Sequence, residues 1–429
     1  MMDLTRSELA INGGSPVRTA GWKDNLTTGE EEKQAVLRVL DSGYLSLFEG
    51  SHRPDKPFSF YGGPEVQALE HEWCEYYQVE HAISLNSATS GLYATIGALG
   101  IGYGDEVIVS PYTMTACALA PLIYGAIPVF ADVELATGCL DSKSIEERIS
   151  SRTKAIIVVH QFGIPADMCA IMAIARRYRL AVIEDCAQAH GAQLNGQYVG
   201  TFGDIGVFSL NVNKSIQTGE GGVCITADHE LAYRLALIRN HGEAVVGPAN
   251  YEDITNIAGF NYRLTEIQAG IAREQLKKLD QLNSIRLRLV ERLSKGLASI
   301  PFLIPPVGRG GAHSTYYVYP LRYDKGASSF SRSEFIRAVN AEGALFYEGY
   351  TPPLYLQPVY QKKNLFKNGY PFSARENREI VTRYEKGVCP NTEELHFKEM
   401  IINEHVRYPH DDSDIDDLVR CLTKVAGGK

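Results

Sequence analysis

The feature that most constrains this chain is an alternation of short, β-rich apolar runs with longer helical patterns across residues 78–230. The runs are EVIVSPY (106–112), IPVFADV (127–133), KAIIVVHQFG (154–163), LAVIEDCAQ (180–188), IGVFSLN (205–211) and GGVCITA (221–227). Between several of them lie amphipathic helical stretches, such as TSGLYATIGALG (89–100) and ADMCAIMAIARRYR (166–179). This is βαβ rhythm, and it predicts an α/β fold with a mostly parallel sheet sandwiched by helices. Residues 254–297 carry helical period throughout and read as a connector. Beyond it, loop signals, a strand candidate STYYVYPLRY (314–323), a helix SRSEFIRAVNAEG (331–343) and an acidic final helix SDIDDLVRCLTKV (413–425) predict a smaller α+β domain.

A chain of 429 residues, 45% hydrophobic and 22% charged, is long enough for a large core in two or three domains, or in a closely packed pair. Its net charge of −9, with no Lys/Arg cluster, argues against a nucleic-acid partner. The eight cysteines are scattered without a C-x-x-C pair, which suggests no metal site, no disulfide scaffold and a reducing cytoplasm. No apolar run approaches the roughly 18 residues of a membrane span, so no membrane partner is expected.

In sheets of this kind ligands gather beyond the carboxyl ends of the strands, so the residues there are the candidates for chemistry. In LAVIEDCAQAHG (180–191) an apolar run stops at Asp185, and a buried carboxylate needs a cationic or protonated partner. Capping of the following turn is the plainer explanation. In SLNSATSGL (84–92) the polar residues open a helix whose free backbone N–H groups form a seat for phosphate, or simply an N-cap. In FSLNVNKSIQTGEGGVCIT (208–226), Ser209 offers a further hydroxyl, or an ordinary turn serine. One lysine, Lys214, stands between that strand end and a run of glycines. Together these features ask for a ligand with a phosphate, a ring nitrogen that a carboxylate can hold, and a carbon that an amine can attack. Pyridoxal 5′-phosphate meets all three demands.

The ordered set NSATSGL, GDEVIVSPYT, IPVFADV, VVHQFGIPADM, IEDCAQAHGA, FGDIGVFSLNVNKSIQTGEGGV, RNHG, GFNYRLTEIQAGIAREQL and, more loosely, YTPPLYLQPVY resembles the DegT/DnrJ/EryC1/StrS family of sugar aminotransferases. These are fold-type I pyridoxal-phosphate enzymes, and the resemblance covers nearly the whole chain. It implies an N-terminal arm and large cofactor-binding domain over 1–285 and a small domain over 286–429. It implies that Lys214 is the Schiff-base lysine, that Asp185 pairs with the pyridine nitrogen, and that Gln188 approaches the ring hydroxyl. Ala88, Thr89 and Ser209 would cup the phosphate. Asn261 would reach it from a neighbouring subunit of a homodimer, unless it caps the helix that follows. Where many members stack an aromatic ring on the cofactor, PYTMTA presents Met114; either its sulfur packs there or Tyr112 substitutes.

The resemblance further implies an aminotransferase that takes its amino group from glutamate or glutamine. The acceptor would be a keto sugar, nucleotide-linked, or a keto cyclitol. AINGGSPVRTAGW (10–22) and GYTPPLY (349–355) look more like the cyclitol branch. The stretch YLSLFEGSHRPDKPFSFYGG (44–63) suits a hydroxylated ring or serves as a surface loop. A dehydratase on the same fold is the alternative, against which Lys214 counts, because a dehydratase variant of the family has histidine there. A binding protein without turnover is the other, for which Lys214 or Asp185 should be missing. His160, His190 and His241 read as supporting groups rather than general bases.

Overall fold

The computed structural model describes residues 8–49, 60–247 and 249–427. Residues 50–59, half of the 44–63 stretch singled out above, therefore lie outside the described residues. The main sheet has seven strands: β1 (His81–Leu85), β2 (Glu106–Val109), β3 (Ile127–Phe130), β4 (Thr153–Val159), β5 (Ala181–Asp185), β6 (Ile205–Ser209) and β7 (Gly222–Thr226). Their spatial order is β1-β7-β6-β5-β4-β2-β3. The pairs from β3 to β6 are parallel, and β7 runs antiparallel to both its neighbours.

Both faces are covered, which is why these strands read as continuous apolar runs rather than as alternating ones. Val107, Val109, Ile157 and Ile183 turn to one face, against helices Ala88–Ala98, Ala116–Ile123 and His229–Arg239. Ile108, Ile156, Val158 and Val182 turn to the other, against helix Met168–Tyr178.

The predicted connector is a helix only from Glu266 to Gly296. Thr265 caps it, accepting from the Gln268 N–H while the Gln268 side chain returns to the cap. Upstream, Phe260 and Tyr262 stack with ring centroids 4.8 Å apart, a same-side i, i+2 pairing that belongs to extended chain, and Asn261 bridges Asn240. Within the helix, Leu276, Leu279 and Leu282 pack beside the main sheet, whereas Leu289, Val290 and Leu293 enter a separate core. That second core backs an antiparallel sheet of β8 (Leu303–Ile304), β9 (Tyr319–Tyr323), β10 (Tyr347–Glu348) and β11 (Met400–Asn403), ordered β8-β9-β11-β10. Helices Arg332–Ala341 and Asp412–Gly427 cover it.

An arm early in the chain crosses between these bodies. Arg18 pairs with Asp414 and Asp417 at 2.8 and 2.9 Å and lies 4.0 Å from the Trp22 ring centroid. The Lys23 N–H donates to His410 Nε2 at 3.1 Å, and Thr27 Oγ1 donates to Gln275 Oε1 at 2.7 Å. Between them, Asn25 Nδ2 donates to the carbonyls of Val212 and Lys214 at 2.9 and 3.0 Å.

Candidate active site

At one corner of the sheet the register brings three strand termini together: Gly222 pairs with Leu85 on one side and Ser209 on the other. Helix Ala88–Ala98 starts directly above, with Ser87 as its cap, accepting from the Ser90 N–H at 3.0 Å. A Cβ on Gly222 would come within 2.5 Å of the Ala88 nitrogen, so only glycine lets strand and helix terminus approach this closely. Ala88 is buried and Thr89 is exposed in the first turn, where the N–H groups have no helical acceptor. Ser209 faces the same corner from β6, its hydroxyl accepting from the Asn211 N–H at 3.3 Å. The cap is Ser87, which leaves the first-turn N–H groups of Ala88 and Thr89 beside the Ser209 strand end.

Asp185 ends β5, opposite Val159 and Val207, and is buried. Its Oδ1 accepts the Ala187 N–H at 3.0 Å and its Oδ2 accepts the Cys117 thiol at 3.0 Å. It makes no ion pair among the described residues, which leaves a buried carboxylate without a cation. Gln188, one turn on, is held at both ends: Oε1 accepts the Phe162 N–H at 2.8 Å, and Nε2 donates to the Tyr350 hydroxyl at 3.2 Å.

Lys214 is 9% exposed, and its ammonium has no ion pair among the described residues. It rests 4.4 Å from the centroid of the Tyr317 ring. Asn25 fixes the backbone on which it stands.

Met114 is 51% exposed, whereas Tyr112 is fully buried edge-on to Phe162, Tyr350 and His396. Of the two, only Met114 has a free surface to offer. Asn261 is exposed; its carbonyl accepts from Asn86 Nδ2 at 3.4 Å, and it is not the helix cap, which is Thr265.

The histidines divide. His160 accepts the Ala166 N–H at Nδ1, so its Nε2–H donates to Glu184 at 2.9 Å. Glu184 also takes three backbone N–H groups, from Gly200, Phe202 and Gly203. With Cys186 these form a buried cluster of metal-ligand types, already satisfied from within the protein. His190 is buried with no hydrogen-bond partner at either ring nitrogen among the described residues, and burial, then Lys214, pushes its pKa down to about 3. His241 is partly exposed, in left-handed backbone, 3.9 Å from Glu243.

Sequence reasoning missed Asn25, Cys117, Tyr317, Tyr350 and Arg286, which donates to the Ser215 hydroxyl beside Lys214 at 2.8 Å. Cys117, one turn past Met114, was the one a strand-end search could have found. The others reach the site from the arm, the long helix and the second sheet, and only the folded chain brings them together.

A seven-stranded sheet with one reversed strand, an unpaired lysine, a carboxylate lacking a cation and a helix-terminus anion seat define the fold-type I class of pyridoxal-phosphate enzymes. The donor set fits the cofactor at each of its three polar ends. Residues 55–383 match the DegT/DnrJ/EryC1/StrS aminotransferase family, and the chain belongs to it. The chain is 30% identical to the L-glutamine:2-deoxy-scyllo-inosose aminotransferase of Streptomyces kanamyceticus, over 99% of this chain and 98% of that one. It is 33% identical to the spore coat polysaccharide biosynthesis protein SpsC of Bacillus subtilis, over 79% and 85%. Among solved structures it superimposes on DesV of S. venezuelae with a TM-score of 0.77 and 29% identity, covering 92% and 94%. The protein is a pyridoxal-phosphate-dependent aminotransferase.

Proposed function

We propose that this aminotransferase moves an amino group from glutamine, or from glutamate, to a keto cyclitol in aminocyclitol biosynthesis, with a nucleotide-linked keto sugar as the second acceptor class. The observation that carries the reading is the end-to-end likeness to an L-glutamine:2-deoxy-scyllo-inosose aminotransferase. SpsC, matched over a smaller share of both chains, supports the sugar alternative.

When bound, pyridoxal phosphate supplies an electron sink for the carbon that loses its proton. Ala88, Thr89 and Ser209 would hold the phosphate, Asp185 the proton of the ring nitrogen, and Gln188 the ring hydroxyl. Met114 would lie on the ring. Lys214 Nζ, 4.4 Å from the Tyr317 ring centroid, would take the proton from the donor α-carbon and return it one position away. The buried walls around it exclude water from that transfer. Asn261 would complete the phosphate seat of a partner subunit in a homodimer. In this reading the large domain spans residues 1–285 and the small one 286–429, which the change of core along the long helix between Leu282 and Leu289 supports. A cytoplasmic setting accords with eight free cysteines. Among the described residues no helix is long and apolar enough to cross a membrane.

The test is a donor–acceptor matrix: L-glutamine and L-glutamate against keto cyclitols and nucleotide-linked keto sugars, with amine products read by mass spectrometry. Cyclitol amine formed with glutamine is the expected result. Amine from the nucleotide sugars alone would transfer the reading to the second class, and no amine from either would overturn both.

A further inference from the structure

Gln188, proposed above to meet the ring hydroxyl of the cofactor, is buried, and its amide can lie only one way round. The Phe162 N–H reaches it at 2.8 Å and needs an acceptor, so Oε1 takes that side and Nε2 faces the Tyr350 hydroxyl at 3.2 Å. An amide nitrogen does not accept, so Tyr350 accepts in this contact and keeps its own proton to give. The nitrogen likewise keeps its second N–H. Among the described residues neither hydrogen has an acceptor. Two unused donors, their heavy atoms 3.2 Å apart, therefore stand side by side where a ligand oxygen can meet both.

The phenol is held in place from several sides. Tyr350 follows β10, where Gly349 turns through φ 69° and donates its N–H to the Met400 carbonyl at 2.8 Å. A Cβ on Gly349 would come within 2.6 Å of His396 Nδ1, so this turn requires glycine. Beyond it, Thr351 Oγ1 donates to the Thr113 carbonyl at 3.0 Å and the Leu354 N–H to the Pro111 carbonyl at 2.9 Å, which ties the segment to the strand end of the main sheet. The ring stands edge-on to Phe162 at 5.2 Å and to Tyr112 at 6.0 Å. Tyr112, considered above for the cofactor face, is thus a wall beside this phenol. Burial, then Tyr317 and Asp185, pushes the Tyr350 pKa above the ordinary tyrosine value, so the group stays a donor.

We propose that Tyr350 donates its hydroxyl proton to the ring-hydroxyl oxygen of pyridoxal phosphate, as a second contact beside Gln188. The proposal rests on the reading that Gln188 faces that oxygen. The ring hydroxyl of the cofactor is acidic, and its oxygen shares a proton with the nitrogen that joins the cofactor to Lys214. A donor from the protein draws charge from the oxygen, so the shared proton leaves at a lower pH. Gln188 supplies one N–H to this balance. Tyr350, 162 positions further along the chain, supplies the O–H that completes it.

The experiment uses the cofactor-loaded enzyme without substrate and reads the pH midpoint of the absorbance change of the bound cofactor. The wild type is compared with Tyr350→Phe, Gln188→Ala and the double variant. Phenylalanine keeps a ring between Phe162 and Tyr112, and melting temperatures check folding. Tyr350→Phe should raise the midpoint by about one pH unit, the scale of one hydrogen bond to a charged oxygen. It should raise it again in the Gln188→Ala background. An unmoved midpoint in folded Tyr350→Phe overturns the contact. A shift that vanishes in the Gln188→Ala background overturns it as well, because Tyr350 would then act only by holding the amide. If Tyr350→Phe moves the midpoint and Gln188→Ala does not, the reading of Gln188 fails and the Tyr350 contact stands.

Discussion

The Cys117 thiol donates to Asp185 Oδ2 at 3.0 Å, deep beneath the strand ends, while the Ala187 N–H holds the other oxygen. A thiol is a weak donor, so the carboxylate is oriented without being neutralised. Turnover in Asp185→Asn should fall by at least about 100-fold, the scale of losing one preorganised electrostatic partner. Cys117→Ala, which leaves the backbone contact intact, should cost less than about tenfold. Near-normal rates in Asp185→Asn would remove Asp185 from the role proposed for it.

Among the described residues Lys214 is the one buried lysine, and it follows the Ser209 strand end by five positions. Borohydride treatment of the cofactor-loaded protein should fix the cofactor covalently, and peptide mass mapping should find it on Lys214. A label on another lysine ends the assignment. Lys214→Ala should retain cofactor through dialysis, because Ala88, Thr89 and Ser209 remain, yet lose turnover by about 1,000-fold or more, the upper part of the range for a positioned acid–base group.

Asn261 poses a question of assembly. Its backbone abuts Asn86 of its own chain, just before the phosphate corner, while its side chain is exposed. Mixing Lys214→Ala subunits with Asn261→Ala subunits separates the possibilities. If Asn261 crosses a two-fold interface, one site of the hybrid carries both lesions and the other is intact, so activity exceeds that of either parent homodimer. A hybrid that forms without recovery would place Asn261 in the service of its own subunit.

His190 should make the protein acid-sensitive. Its folded pKa of about 3 lies below the unfolded value near 6.5. Below pH 6.5 the unfolded chain takes up a proton that the folded chain refuses. Stability is thus full above 6.5 and falls as pH drops towards 3, by up to about 1.4 kcal/mol per pH unit. His190→Phe, set among Trp73 and Phe208, removes this term. Its melting temperature should approach or pass that of the wild type as pH goes from 7.5 to 5. His405 and His410, also pushed down by burial, are common to both proteins. Parallel pH curves would show that His190 does not titrate on unfolding.

The large domain was legible because its physics is local. Six of its seven strands are apolar runs bounded by turn residues, and Asp185, Ser209 and Lys214 stand out as polar residues where such runs stop. His81–Leu85 was passed over: HAISL is short and carries two polar side chains. The reading of 254–297 as one helix followed apolar period alone, and lost to backbone chemistry, since Asn256 has φ 58° and Thr265 caps the helix that begins after it. Tyr317 and Arg286 had no local signature. Each is unremarkable in its own segment, and its meaning comes from Lys214, which lies 103 and 72 positions away in the chain.

The arm that runs from Arg18 to Thr27 has a consequence for synthesis. Lys214 and its sheet can form as soon as the first 230 residues are made, yet the strap that seats the lysine through Asn25 is tied down at Asp414 and Asp417, almost 400 residues after Arg18. A nascent chain therefore carries a formed sheet and a loosely held nucleophile until its last residues are made. The enzyme becomes competent only in the last moments of its assembly, when the final helix arrives to anchor its first turns.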